Sequence, residues 1–142
     1  MRIADVLRSK GAAVATITPE TSVSGLLTEL AVHNIGAMLV VSPDGLMGIV
    51  SERDVVRALH RRGGELLTKP VSEIMTTLVA TCAPDDSVDS LSALMTTNRV
   101  RHVPVMENGR LVGIVSIGDV VKTRMEELET QQEQLQAYIT RG

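Results

Sequence analysis

The run Gly48-Ile49-Val50-Ser51-Glu52-Arg53-Asp54-Val55-Val56 returns as Gly113-Ile114-Val115-Ser116-Ile117-Gly118-Asp119-Val120-Val121, with seven of nine positions identical. The same offset of sixty-five residues lays positions 14–56 onto 79–121 without a gap, and sixteen of those forty-three positions match. Among them are Val14/Val79, Thr16/Thr81, Pro19/Pro84, Ser22/Ser87 and Leu26/Leu91. A unit copied at this length is expected to fold twice and to bury one face of each copy. At 142 residues the chain makes one domain, or two half-domains sharing a core.

Both copies read alike. Ala15-Thr16-Ile17 and Ala80-Thr81-Cys82 are short strands stopped by Pro19 and Pro84. Val23, Leu26, Leu27, Leu30 and Ala31 recur at helical spacing, as do Val88, Leu91, Leu94 and Met95. Thr21/Ser22 and Asp86/Ser87 offer side-chain oxygens to cap those helices. The continuous apolar run Ala37-Met38-Leu39-Val40-Val41 predicts a strand covered on both faces. Turns follow at Pro43-Asp44-Gly45 and Glu107-Asn108-Gly109; their glycines fall one place out of repeat register, so the turns differ in type. Strands return at 46–50 and 111–115, then second helices at 54–62 and 119–129.

A shorter echo, Ile3-Ala4-Asp5-Val6-Leu7 against Val71-Ser72-Glu73-Ile74-Met75, leads into each unit. Residues 62–70 read as the linker between halves. The domains are thus expected at 1–64, leader included, and 65–124. The polar tail 125–142, with Met125, Leu128, Leu135 and Ile139 as its apolar positions, extends the last helix. It reads as a solvated helix lying on a partner subunit, its apolar spacing too irregular to predict a coiled coil.

Composition removes several classes. The hydrophobic fraction is 44%, yet there is one Tyr and no Phe or Trp, so the core and any ligand wall are aliphatic. A net charge of −3 without a basic patch or aromatic platform argues against a nucleic-acid binder. No apolar run approaches the roughly 18–20 residues of a membrane span, and the first residues lack the apolar core of a signal peptide. The single Cys82 excludes an internal disulfide and a multi-cysteine metal site, and reads as a buried strand residue. A reducing cytoplasm suits these features. No nucleophile–base spacing, phosphate loop or metal-ligand cluster is present, so no enzymatic activity, catalytic cofactor or metal is expected.

The chemistry concentrates where strand gives way to helix. Ser51-x-x-Asp54 and Ser116-x-x-Asp119 form capping boxes in acidic form. A helix N-terminus with a serine hydroxyl also binds anions, and a carboxylate three residues on can hold the vicinal hydroxyls of a ribose. Both readings stand at this point. Arg101-His102, where the first copy has Gly36-Ala37, adds a guanidinium suited to phosphate. Arg53 reaches phosphate or pairs with Glu52. His33 and His60 read as solvated helix residues.

Two strand-helix-strand-strand-helix units, each ending in Gly-Ile-Val-Ser-x-x-Asp, with leaders such as Val71-Ser72-Glu73-Ile74-Met75-Thr76 and the segment Arg101-His102-Val103-Pro104-Val105, resemble a tandem pair of CBS (cystathionine β-synthase) domains over residues 1–124. The resemblance implies an α/β fold of two β-α-β-β-α repeats related by a pseudo-two-fold axis and packed sheet to sheet. It further implies two clefts that bind AMP, ADP or ATP, or else NAD(H) or S-adenosylmethionine, in a homodimer that regulates a partner protein. Carried over, one cleft would use Ser116 and Asp119 on ribose and phosphate, with Thr16, Ile35, Gly36 and Ala37 on the base and Arg101 and His102 nearby. The other would use Ser51, Arg53 and Asp54 with Thr81, Val100 and Arg101. Gly118 in place of Arg53, and Gly36-Ala37 in place of Arg101-His102, make the clefts unequal. The alternative is an interaction module without a ligand, whose Ser-x-x-Asp boxes are only helix caps.

Overall fold

Apolar periodicity and polar punctuation set the element order. The computed structural model describes residues 1–77 and 80–141; Val79, one of the repeat identities, lies outside the described residues. Along the chain come α1 (Ile3–Lys10), β1 (Thr16–Ile17), α2 (Val23–His33), β2 (Ala37–Ser42), β3 (Gly45–Ser51) and α3 (Glu52–Arg62). After two short 3-10 turns, Gly63–Thr68 and Val71–Glu73, follow β4 (Thr76–Thr77), α4 (Val88–Asn98), β5 (His102–Glu107), β6 (Arg110–Ser116) and α5 (Ile117–Arg141). The expected α/β pattern is met in both copies.

The chain divides into two compact units, Ala13–Thr81 on the one hand and Met1–Ala12 with Cys82–Gly142 on the other. In the contiguous unit, β1, β2, β3 and β4 form one sheet in that order, β1 parallel to β2 and the rest antiparallel. Ala37, Met38, Leu39 and Val40 are all buried, as a strand covered on both faces requires. Val23, Leu26 and Leu30 of α2, Val55 and Ala58 of α3, and Leu66 pack with them. In the discontinuous unit β5 and β6 pair antiparallel, and the core is Ile3, Val6 and Leu7 of α1, Val88, Leu91 and Met95 of α4, Val103, Val105, Val115 and Val120.

Serine capping holds where it was expected. Ser22 Oγ accepts from Gly25 N and Ser87 Oγ from Ser90 N, each at 3.0 Å. The two hairpins share one bulge, between Val40/Val41 and between Val105/Met106, but differ in turn. Asn108 and Gly109 both have positive φ (51° and 77°), the mark of a type I′ turn. Pro43 cannot take positive φ, and only Gly45 does so in the first hairpin.

Three expectations change. Among the described residues the strand at 80–82 shrinks to a bridge between Cys82 and Val105, where Cys82 N donates to Pro104 O and Met106 N to Cys82 O. The segment read as a linker is structural: Leu66 is fully buried in the contiguous unit. The leaders also exchange owners. Val71 N bonds Thr21 O, Ser72 N bonds Pro19 O and Val23 N bonds Lys69 O; the same three bonds recur as Ile3 N to Asp86 O, Ala4 N to Pro84 O and Val88 N to Met1 O. The leader grouped with the first copy at 1–64 thus closes the second, and residues 65–81 close the first. The backbone of residues 19–23 and 84–88 has polar groups to satisfy, and each leader supplies them.

The repeated glycines Gly48 and Gly113 mark where these leaders press. A Cβ at Gly48 would lie 2.6 Å from Thr76 O, and one at Gly113 would lie 2.6 Å from Leu7 Cδ2. Backbone cannot yield as a leucine methyl can. Gly48→Ala should therefore cost about 1–3 kcal/mol of stability and Gly113→Ala clearly less, read by urea denaturation. Equal losses would show that Leu7 has no room to turn.

Candidate functional site

In the contiguous unit β3 ends at Ser51 and α3 begins one residue on. Asp54 Oδ2 accepts from Ser51 N (2.8 Å) and from Ser51 Oγ (3.0 Å), while Asp54 N donates to Ser51 Oγ (3.2 Å). Ala37 is the sheet partner of Ser51, and Glu52 N donates to Gly36 O at 2.9 Å. A Cβ built on Gly36 would face the Glu52 carboxylate at 3.7 Å, so this junction carries added negative charge. Arg53 is exposed at the start of α3. Thr16 opens β1 as an exposed residue and pairs with Leu39. Ile35 packs partly against the unit's core. Thr81 ends the unit, exposed.

The discontinuous unit repeats the junction with different neighbours. Asp119 Oδ2 accepts from Ser116 N (2.8 Å), and Asp119 N donates to Ser116 Oγ (3.1 Å). His102 is the sheet partner of Ser116, and Ile117 N donates to Arg101 O at 2.8 Å. Val100 packs partly on this unit's core, and the Arg101 residue is exposed. Within a unit, then, the contacts join Gly36 and Ala37 to Ser51 and Asp54, and Arg101 and His102 to Ser116 and Asp119. The expected sets drew residues from both units.

The sequence reading missed Lys10. Its Nζ donates to Asp119 Oδ2 at 2.6 Å and to Ile114 O at 2.9 Å, fixing the end of α1 to the junction. The one available signal was a basic residue closing the leader helix, and that leader had been assigned to the other copy. Partial burial pushes the Asp119 carboxyl up, but the Lys10 ammonium and the Ser116 amide outweigh it and hold it below the usual aspartate range. Burial pushes the His102 imidazole below the usual histidine range; Lys10 and Arg101 add to this against the pull of Asp119. The Cys82 thiol is pushed up to about 12 by burial and by Asp86, which makes it inert. Among the described residues no cluster suits a metal ion, and no helix is long and apolar enough to cross a membrane.

Chemically, each junction offers a helix N-terminus, a serine hydroxyl and a carboxylate that already holds a backbone amide. The discontinuous unit adds Lys10 and Arg101, the contiguous one Glu52. A doubled junction on a duplicated α/β unit defines a class of tandem-repeat module. The chain belongs to the CBS-domain family, whose model matches residues 3–61 and 71–126. It is 36% identical over 149 residues to the mitochondrial CBS domain-containing protein CBSX3 of Arabidopsis thaliana, covering 99% of this chain and 72% of that one. The crystal structure of the CBS-domain protein ATU1752 from Agrobacterium tumefaciens superposes with a TM-score of 0.84 at 45% identity, covering 87% of this chain and 99% of that one. The CBS domain pair of protein MJ0100, solved in complex with 5′-methylthioadenosine and S-adenosyl-L-methionine, gives a TM-score of 0.74 at 27% identity, covering 89% and 98%.

The histidine yields a pH test. Its folded value lies below its unfolded one, so the unfolded chain takes up the proton first as pH falls below about 6.5. The contribution of His102 is complete above that pH and declines below it. In His102→Gln, stability should track the wild type above pH 7 and fall less steeply between roughly pH 6.5 and 5, measured by denaturant titration at each pH. An unchanged slope would remove His102 from the acid response.

Proposed function

We propose that this chain is an adenosine-nucleotide-sensing regulatory module and not a catalyst. The observation that carries the reading is the doubled strand-to-helix junction, with Ser51/Asp54 and Ser116/Asp119 in matching geometry. In each, one carboxylate oxygen (Oδ2) makes the cap bonds, and Oδ1 takes part in none of them. Ribose hydroxyls bind there, with phosphate at the helix N-terminus. Arg101 and Lys10 favour the more highly charged phosphates beside Asp119, where His102, held below the usual histidine range, offers a hydrogen bond without a charge; Arg53 serves the Asp54 junction. Thr16, Ile35, Gly36, Ala37, Thr81 and Val100 supply backbone and aliphatic contact to the base. The ligands are AMP, ADP or ATP, with NAD(H) and S-adenosylmethionine as further members of the same chemistry. The complex of protein MJ0100 with two adenosine compounds supports that class. The module self-associates through its helices, acts in a reducing cytoplasm and passes ligand occupancy to a partner protein.

A second reading has its own observation. Asp54 and Asp119 both turn back onto the serine amide, which is all a helix cap requires. Titration calorimetry with AMP, ATP, NADH and S-adenosylmethionine separates the two. The nucleotide reading expects saturable binding, with at least one dissociation constant below about 1 mM. Asp119→Asn keeps an acceptor for the Ser116 amide and should weaken one site at least about tenfold. Wild-type protein that takes up none of the four ligands leaves the caps as the whole role of these residues.

A further inference from the structure

Helix α5 runs for 25 residues, and its face divides cleanly. Val120 and Thr123 are buried in the discontinuous unit. The apolar residues Val121, Met125, Leu128, Leu135 and Ile139 project elsewhere and are between 51% and 68% exposed. With Gln132 included, the series 121, 125, 128, 132, 135 and 139 steps by four, three, four, three and four residues. That is the a/d seam of a heptad repeat, with Val121, Leu128 and Leu135 at d and Met125, Gln132 and Ile139 at a. The remaining positions from Glu126 onward are nearly all polar, so one narrow apolar stripe stands on an otherwise solvated helix. The family match ends at residue 126, so most of the stripe lies outside it.

We propose that this stripe is the surface on which a second copy of the chain docks, as a parallel, in-register two-stranded coiled coil over residues 121–141. The proposal deepens the self-association stated above by naming its surface and direction. Three observations select a second copy over another protein. The stripe is self-complementary, since leucine at d with one polar residue at a favours a parallel pair of identical helices. Gln132 meets its own counterpart only in register, where the two amides hydrogen-bond to each other. The flanking positions are compatible as well: in a parallel pair no like charges meet, since Arg124 at g, which bridges to Asp89 and Glu127 of its own chain, lies across from Glu129 at e of the other helix, and Gln131 faces Gln136. An antiparallel pair would instead set Arg124 against the far end of its partner.

The test uses the full chain. Sedimentation velocity should find a dimer at micromolar concentration. Leu128→Glu with Leu135→Glu should weaken it at least about tenfold with the thermal unfolding midpoint of the folded units and nucleotide titration unchanged, because neither leucine belongs to a core. Gln132→Cys should form an interchain disulfide under mild oxidation, whereas the wild type, whose Cys82 thiol is buried, should not. A monomeric wild type overturns both self-association and the coil. A dimer indifferent to the double substitution leaves self-association standing and overturns the coil as its surface. Failure of Gln132→Cys to cross-link in a dimer that the double substitution does break overturns the parallel register.

Discussion

The junctions depend on one bond made twice, the carboxylate of Asp54 or Asp119 turned back onto the amide of the serine three residues earlier. At that point the chain leaves a sheet and enters a helix within a single residue. The first helical N–H groups have no intrahelical partner, and the serine amide has left the ladder. A serine hydroxyl and a carboxylate satisfy both deficits reciprocally, which is worth about 1 kcal/mol or somewhat more for each box. The geometry then fixes everything beside it. Gly36 and Arg101 offer their carbonyls to Glu52 and Ile117, and Ala37 and His102 stand opposite the two serines. Whatever binds at a junction meets a surface set by the same bond that starts the helix.

At the junctions the copies diverge in charge, not in backbone. The paired leader bonds, the shared bulge and the serine caps are common to both, whereas the hairpin turns and the sheet edges differ. Lys10 and Arg101 stand beside Asp119, and Glu52 and Arg53 beside Asp54. A duplicated frame thus carries two differently charged junctions without altering the helix start that builds each.

Much of this was legible in the residues. Gly-Ile-Val-Ser-x-x-Asp, occurring twice, located both strand-to-helix turns, since the spacing of serine and aspartate is itself the geometry of a cap. The run at 37–41 announced a strand buried on both faces, and Gly45 and Gly109, one place out of repeat register, announced that the hairpin turns differ. The ownership of the leaders was not legible. Ile3-Ala4-Asp5-Val6-Leu7 and Val71-Ser72-Glu73-Ile74-Met75 look alike, and only their hydrogen bonds to residues 19–23 and 84–88 show which copy each completes. Lys10 was lost with that assignment, because its partner Asp119 is distant in sequence. β4 escaped notice for a related reason: two threonines carry no periodicity, and their pairing is decided by the opening that Gly48 leaves.

The exchanged leaders make the two units unlike in the order of their making. Residues 13–81 are continuous, so that unit can close as soon as its last residue clears the ribosome. The other unit needs α1, synthesised before residues 13–81, to remain uncommitted until β6 and the start of α5 exist. Its apolar face, Ile3, Val6 and Leu7, waits through the translation of more than half the chain. Long-separated contacts of this kind form slowly and leave apolar surface open meanwhile. The vectorial cost of the duplication thus falls on one unit alone.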